Sequence, residues 1–425
     1  MSFGTGLSGL NAASKNLDVI GHNIANANTT GMKAGRAEFA EMYAASLGAA
    51  GGSNGGIGVS VAAVAQMFTQ GNIKVTGNNL DMAINGEGFF TVRLSDGSTA
   101  YTRNGEFKLD RDGNIVTYNG AQLLGFATDT SGKPISVDPV PLNLPTGKNV
   151  DPRPSTELKL TLNLDSRVDA QTVGTPLTAE NKQYGTAFNL YDTLGNGIPV
   201  QLYFIKTGAN QWNVVASYQP TNAPGDPPVE TNLGAITFNP ATGRPTLPLT
   251  LANINIPANA VNTTAGLPAQ DIDVALNFGD PLDPTSATVT QFGSKFAVYE
   301  VTQNGYPPGE LTSITVGEDG VITARYSNGV SQANGMVMLT RFRNVQGLQP
   351  INGGYWQKTQ ASGDPIIGQP LSGRFGLIRS GALEESNVDL TQELVNMIVA
   401  QRHYQANAQT IKTQDQVQQT LVNLR

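Results

Sequence analysis

The chain of 425 residues contains no cysteine. That excludes disulfides, thiolate catalysis and cysteine-based zinc sites. Charge is scarce too. Asp, Glu, Lys and Arg make up 14% of the residues, against about 25% in ordinary globular proteins. The net charge of −7 offers no basic surface to nucleic acid or anionic lipid. No apolar run approaches the ~20 residues of a membrane-spanning helix. Residues 1–30 lack the basic stretch and continuous apolar run of a signal peptide. The expectation is a protein held together by packing and assembly, either cytoplasmic or exported without a cleaved signal. No cofactor is expected. The chain also lacks a Gly-x-Ser-x-Gly elbow, a Walker loop and a His-Glu-x-x-His motif.

What is present begins with two helical patterns, one at each end. Phe3, Leu7, Leu10, Ala13, Leu17, Ile20, Ile24 and Ala27 recur at steps of three or four, an apolar stripe on a helix. Gly31 suits a left-handed turn that ends it. Gly4, Gly6, Gly9 and Gly21 each weaken an isolated helix by about 1 kcal/mol relative to Ala, so this helix is marginal alone. At the other end, Asp389 with Gln392 three residues on predicts a capping box. The stripe that follows is Leu390, Leu394, Met397, Ile398, Tyr404, Ala408, Ile411, Val417, Leu421 and Leu424. This predicts a helix of roughly 35 residues, about 50 Å long. Its polar face is made of glutamine rather than charge.

Between the ends the pattern changes. Residues 48–58, GAAGGSNGGIG, have the composition of a flexible loop. From residue 80 onward, Asn-Gly and Asp-Gly pairs recur between alternating apolar residues, the mark of hairpins. Residues 198–205 and 211–218 predict one such hairpin. Proline-rich stretches at 138–155 and 278–289 mark the way into and out of a separate β region. The expected architecture is multidomain. N- and C-terminal α-helices pair as a coiled coil (1–30 and 388–425). Extended connectors (31–71 and 366–387) lead to an inner β domain (72–149 and 291–365). An outer all-β domain (150–290) is inserted in the inner one.

Candidate chemistry is thin. His22 and His403 lie on the terminal helices and serve best as polar helix faces. Residues 110–113, DRDG, faintly resemble a calcium loop but lack its later ligands, so a hairpin turn is preferred. Asp271 with Asp273, and Asp280 with Asp283, could be paired for glycoside hydrolysis, but sit in a strand and a proline turn. Trp212 and Trp356 could stack on sugar, although core anchoring suits them better. A carbohydrate-active enzyme or adhesin would need convergent acids and aromatics that the sequence does not display. The terminal helices are more informative. A two-helix pair cannot bury both stripes, so neighbouring subunits are expected to cover the remainder. A contact that does not close into a ring builds an open helical filament.

Residues 7–33, LSGLNAASKNLDVIGHNIANANTTGMK, closely resemble the N-terminal signature of the bacterial flagellar axial proteins, the family of rod, hook and hook–filament junction proteins. Residues 381–425 resemble the C-terminal signature of the same family. Residues 80–90 and 304–311 add to the likeness. The family pattern ends in Gly-Tyr-Lys where this chain has Gly31-Met32-Lys33. The motif positions here are Asn23, Asn26, Asn28, Gly31, Asn387 and Asp389. Length and the inserted β domain favour the hook branch, with a distal rod protein as the alternative. The resemblance implies a structural homopolymer rather than an enzyme. Its polymerisation helices carry Leu7, Leu10, Leu17, Ile20, Ile24, Leu390, Leu394, Met397, Ile398, Tyr404, Ile411, Val417, Leu421 and Leu424. It further implies a curved helical tube around an export channel, outside the cell in the flagellum, acting as a universal joint. The implied partners are further copies of the chain, the distal rod, the hook cap protein, the hook–filament junction protein and the flagellar type III export apparatus.

Overall fold

The computed structural model describes residues 3–43, 56–145, 149–173, 177–178, 181–220, 227–246, 251–258, 270–279 and 286–423. The chain divides into two compact units. One comprises Met1–Gly147, Thr312–Arg325 and Ser331–Arg425, the other Lys148–Leu311 and Tyr326–Val330.

In the first unit, helix α1 spans Phe3–Ala25 and helix α2 spans Leu390–Asn423. The α2 helix has 34 residues, or about 51 Å, and begins as expected at Asp389. The Asp389 carboxylate accepts from the backbone N–H groups of Thr391 (2.9 Å) and Gln392 (3.2 Å), satisfying two donors of the open helix end. The reciprocal half of the box is replaced by a forward bond, from the Gln392 amide to Asn396 at 3.2 Å. The α1 helix stops at Ala25, before Gly31. Residues 26–31 continue as tight turns, with bonds from Ala27 to Ile24 and from Thr29 to Asn26.

The stretch expected to be an extended connector is an antiparallel ribbon. Strand β1 (Gly35–Tyr43) pairs with β2 (Gly56–Gln66). Gly56 and Gly58 therefore belong to a strand rather than to the loop expected over 48–58, and residues 48–55 lie outside the described residues. Residues 366–387 are likewise not a connector. Strands 366–368, 377–380 and 382–384 pair with strands 339–341, 82–85 and 73–75. The main sheet of this unit has 13 strands. Met82, Ile84, Phe90, Val92, Leu123, Val337, Leu339 and Ile378 form its core. Residues 138–145 are not a free linker either, because Leu142 and Leu144 are buried in that core.

The second unit is a sandwich of a five-stranded and a four-stranded sheet. The hairpin expected at 198–205 and 211–218 forms as Gly197–Gly208 and Gln211–Tyr218. Alternating residues from both sheets (Leu158, Leu160, Leu162 against Val200, Phe204, Trp212) share one core. This unit does not end at residue 290. Its first strand, Glu157–Asp165, pairs antiparallel with Ala297–Gln303, matching Leu158 to Gln303. The strand by which the chain enters is hydrogen-bonded to the one by which it leaves, so the boundary moves to Leu311.

Candidate assembly site

Helices α1 and α2 pack antiparallel. Gly6 faces Ile411, Gly9 faces Asn407, and near the other end Asn23 reaches Glu393. Small residues set the approach. A Cβ on Gly9 would lie 2.8 Å from Asn407 Oδ1, and one on Gly6 would lie 3.1 Å from Ile411 Cγ1. These glycines, costly to an isolated helix, make room for the partner. Gly21 has open space around it, and its presence has no packing reason here.

The expected apolar stripes are only partly used in this pair. On α1, Ala13 and Ile20 are buried, Leu10, Leu17 and Ile24 are half-buried, and Leu7 is exposed. On α2, Ala400 alone is buried among the described residues, with Met397 and Ile411 half-buried. Leu390, Leu394, Val395, Ile398 and Val399 stand 42–51% exposed. Tyr404 and Val417 are exposed as well. The α2 stripe does not stay on one face. At about 100° per residue, Val417 falls roughly 180° from Leu390. Leu424 and the Leu421 side chain lie outside the described residues. Glu393 sits at the seam with a buried Oε2 that has no partner. Burial raises its pKa above the ordinary carboxylate value, and the Asn23 amide only partly offsets this.

Beneath the helices, both terminal segments meet the main sheet at a buried ionic cluster. Lys33 Nζ donates to Glu384 Oε1 at 2.6 Å and to the Thr69 carbonyl at 2.8 Å. Arg103 Nη1 donates to Glu384 Oε2 at 3.1 Å, and Nη2 to the Gly86 carbonyl at 2.8 Å. The Gly71 N–H donates to Glu384 Oε1 at 2.9 Å. The Lys33 and Glu384 side chains are fully buried and that of Arg103 is 7% exposed. Two cations thus share one anion. The surplus positive charge faces backbone carbonyls and the Phe89 ring, 5.5 Å from the guanidinium carbon. Burial pulls the pKa of Lys33, and that of Arg103, below its ordinary value, with Glu384 opposing.

The motif asparagines explain themselves around this cluster. Asn23, buried on α1, accepts from the Gly35 N–H and donates to the Gly35 carbonyl, both at 2.8 Å. Asn387 accepts from the Ala34 N–H at 2.8 Å and donates to the Met67 carbonyl at 2.7 Å. Each side chain mimics a strand partner and fastens a helix root to the ribbon. Asn26 caps the last turn of α1 by donating to the His22 carbonyl at 3.0 Å. Asn28 is exposed. The Gly31 N–H donates to the Glu384 carbonyl at 2.8 Å. Gly31 has φ +70, and a Cβ there would meet the Asn104 nitrogen at 2.4 Å. Only glycine fits both demands. Gly31→Ala is expected to destabilise this unit by about 1–3 kcal/mol, read as a lowered midpoint in chemical denaturation. An unchanged midpoint would refute the close approach.

The weaker chemical candidates resolve into structure. Residues 110–113 form a hairpin turn in which Asp110 accepts from the N–H groups of Asp112 and Asn114. Trp212 and Trp356 are buried in cores. Asp271 and Asp273 bond to Ala258 and Asn253, while Asp280 and Asp283 lie outside the described residues. His22 and His403 are exposed. Lys33, Arg103 and Glu384 were not singled out by the sequence. Their signal is weak, since ordinary charged residues in a charge-poor chain reveal a partner only once the sheet brings them together.

Four family descriptions match this chain in order. They are flagella basal body rod protein (residues 3–33), flagellar hook protein FlgE/F/G D1 domain (83–155), flagellar basal body protein FlaE D2 domain (163–306) and flagellar basal body rod FlgEFG protein C-terminal (379–424). The chain is 39% identical to the flagellar hook protein FlgE of Salmonella typhimurium, with 100% of both chains covered. It belongs to the flagellar hook protein family. It is 40% identical to the hook protein of Escherichia coli K12, again over 100% of both. The hook protein of Treponema pallidum is 30% identical, with 99% of this chain and 98% of the relative covered. The crystal structure of the Helicobacter pylori hook protein FlgE2 shares the fold, with a TM-score of 0.53 over 73% of this chain and 100% of that one, at 16% identity. The chain is therefore a structural subunit of the bacterial flagellar hook. Its relatives are structural proteins, and no helix among the described residues is long and apolar enough to cross a membrane.

Proposed function

We propose that the paired terminal helices are the polymerising element, forming a coiled coil that stacks with copies of itself into a tube around an export channel. The observation that carries this reading is the row Leu390, Leu394, Val395, Ile398 and Val399, left 42–51% exposed at the root of α2. An apolar row of this kind on a helix asks for a covering surface. A second copy supplies it through a contact that does not close. The ends of the tube meet the distal rod, the cap protein and the hook–filament junction protein. The subunit reaches its place through the flagellar type III export apparatus. The layout follows the chain, with the helices lining the channel and the sandwich inserted between two stretches of the first unit's sequence.

A curved tube that turns about its own axis needs its subunits to change spacing around the circumference. A close-packed core resists such changes, whereas polar, wet contacts slide. In this reading the helices keep the tube continuous while contacts between the sandwiches of neighbouring subunits lengthen and shorten, giving a universal joint that carries motor torque. The test is excision of residues 148–311. The shortened subunit is expected to polymerise into tubes of altered curvature, seen by electron microscopy of shed hooks. Loss of all polymer from a soluble, folded subunit would overturn this division of labour.

A further inference from the structure

We propose that Asn352 is a site of spontaneous covalent ageing, converting to aspartate and isoaspartate in the folded subunit. The chain has nine Asn-Gly pairs, and eight of them lie in the described residues. The reaction needs two freedoms. The glycine nitrogen must be able to lose its proton and reach the asparagine Cγ, and the asparagine amide must be able to turn toward it.

Seven of the eight pairs are tied. Asn85 accepts from Gln70, and the Gly86 N–H donates to the same side chain. Asn104 accepts from the Glu106 N–H, and Gly105 is pressed against the Met82 carbonyl. The Gly120 N–H that follows Asn119 donates to the Thr117 carbonyl. The Asn196 amide donates to Asp192, with Gly197 in a strand. Asn304 accepts from two backbone N–H groups, and Gly305 donates to Gln303. Asn328 bonds to Pro307 and Val330, and Gly329 to Tyr326. Asn334 sits half-buried inside strand 331–337.

Asn352 differs. It stands exposed at the tip of the hairpin joining strands 349–351 and 355–357. Among the described residues nothing hydrogen-bonds its side chain or the Gly353 N–H. Gly353 and Gly354 both have positive φ, and Gly353 has no side chain of its own to screen the attack. Asn119 and Tyr355 pack beside it, and Thr102 donates to the Gly354 carbonyl at 3.0 Å, but none of these ties the Asn352 amide or the Gly353 N–H. The chemistry is balanced and consumes only water. The deprotonated Gly353 nitrogen forms a bond to Asn352 Cγ. The bond from Cγ to the amide nitrogen breaks, and ammonia leaves with the proton. Water then opens the five-membered imide. Cleavage at the side-chain carbonyl restores the main chain as aspartate. Cleavage at the main-chain carbonyl leaves isoaspartate, with one extra methylene in the backbone.

The position gives the change a consequence. Residues 350–356 line a cavity of about 610 Å³ that is also walled by Lys15, Asp18 and His22 of α1. Conversion puts a new carboxylate on that rim, and in the isoaspartyl form lengthens the tip. A subunit in a structure outside the cell keeps such a change for the life of the assembly.

The test is incubation of the purified full-length subunit at mildly alkaline pH, followed by peptide mass mapping and enzymatic isoaspartate methylation. A parallel sample is kept unfolded in urea. In the native sample Asn352 is expected to convert several-fold faster than the other seven pairs, and Gly353→Ala to slow it several-fold. In urea that lead should disappear. Retention of an unmodified Asn352 while another pair converts would overturn the proposal. So would the same ranking in urea, because the selectivity would then owe nothing to the fold.

Discussion

Glu384→Gln is expected to destabilise the joint between the terminal segments and the main sheet by about 3–5 kcal/mol. The substitution is nearly isosteric, so packing is preserved. What changes is the charge. Lys33 and Arg103 are left facing each other in a site where their side chains are at most 7% exposed. Two buried cations without an anion repel and cannot be hydrated. The lowered pKa of Lys33 gives the response a sign. The neutral amine becomes easier to form, so part of the lost stability should return as pH rises and Lys33 sheds its proton. Hydrogen exchange at Met32–Gly35 and Ala382–Asn387, with chemical denaturation, would read both effects. The control is Lys33→Met with Glu384→Leu and Arg103→Met. Apolar replacement of a whole buried cluster is often neutral or stabilising. If Glu384→Gln left exchange at both segments unchanged, the cluster would not be what holds the two chain ends together.

How much of this was legible before the fold was known depends on the distance over which each signal acts. Local signals read well. Asp389 announces the start of α2 because a cap is a matter of three residues. The hairpin 197–218 is visible because its two strands alternate and a short loop separates them. Long-range signals were silent. Nothing within 278–303 says that Ala297–Gln303 will pair with Glu157–Asp165, so the proline-rich stretch at 278–289 suggests an exit from the second unit, whereas that unit continues to Leu311. Lys33 and Glu384 are 351 positions apart, and Arg103 and Glu384 are 281 apart. Only the register of the strands brings them together. The ribbon of β1 and β2 was hidden for a different reason. Its glycine-rich end reads as loop by composition, yet Gly58 is needed where a Cβ would strike the Ser8 hydroxyl. The helical stripes are visible in the sequence, where their spacing suggests one face each. The length of α2 is what defeats that assignment, since an apolar row spaced at three and four drifts round a straight helix.

That drift leads to the second large effect. Leu394→Lys combined with Ile398→Lys is expected to leave the subunit folded and to abolish polymerisation at working concentrations. Both side chains are 51% exposed in the single chain. Lysine is a good helix former, so the cost to the subunit itself should stay within about 0.5 kcal/mol. In the tube the same positions would be covered. Burying an apolar side chain of this size contributes about 1.5–3 kcal/mol. Because each is already half-covered in the single chain, losing the pair weakens each contact by about 1.5–3 kcal/mol, a factor of about 10 to 150 in the critical concentration. A buried lysine would add its own desolvation cost. Sedimentation of polymer from purified subunits would measure the shift, and far-UV circular dichroism would check that α2 remains helical. Lysines at Gln401 and Gln405, which are exposed and polar, provide a comparison of equal charge. If they blocked assembly as strongly, general repulsion between subunits would explain the loss. If the Leu394 and Ile398 variant polymerised at the native concentration, the exposed row would not be the contact that builds the tube. A selective loss would tie polymerisation to the part of the α2 surface that α1 leaves uncovered.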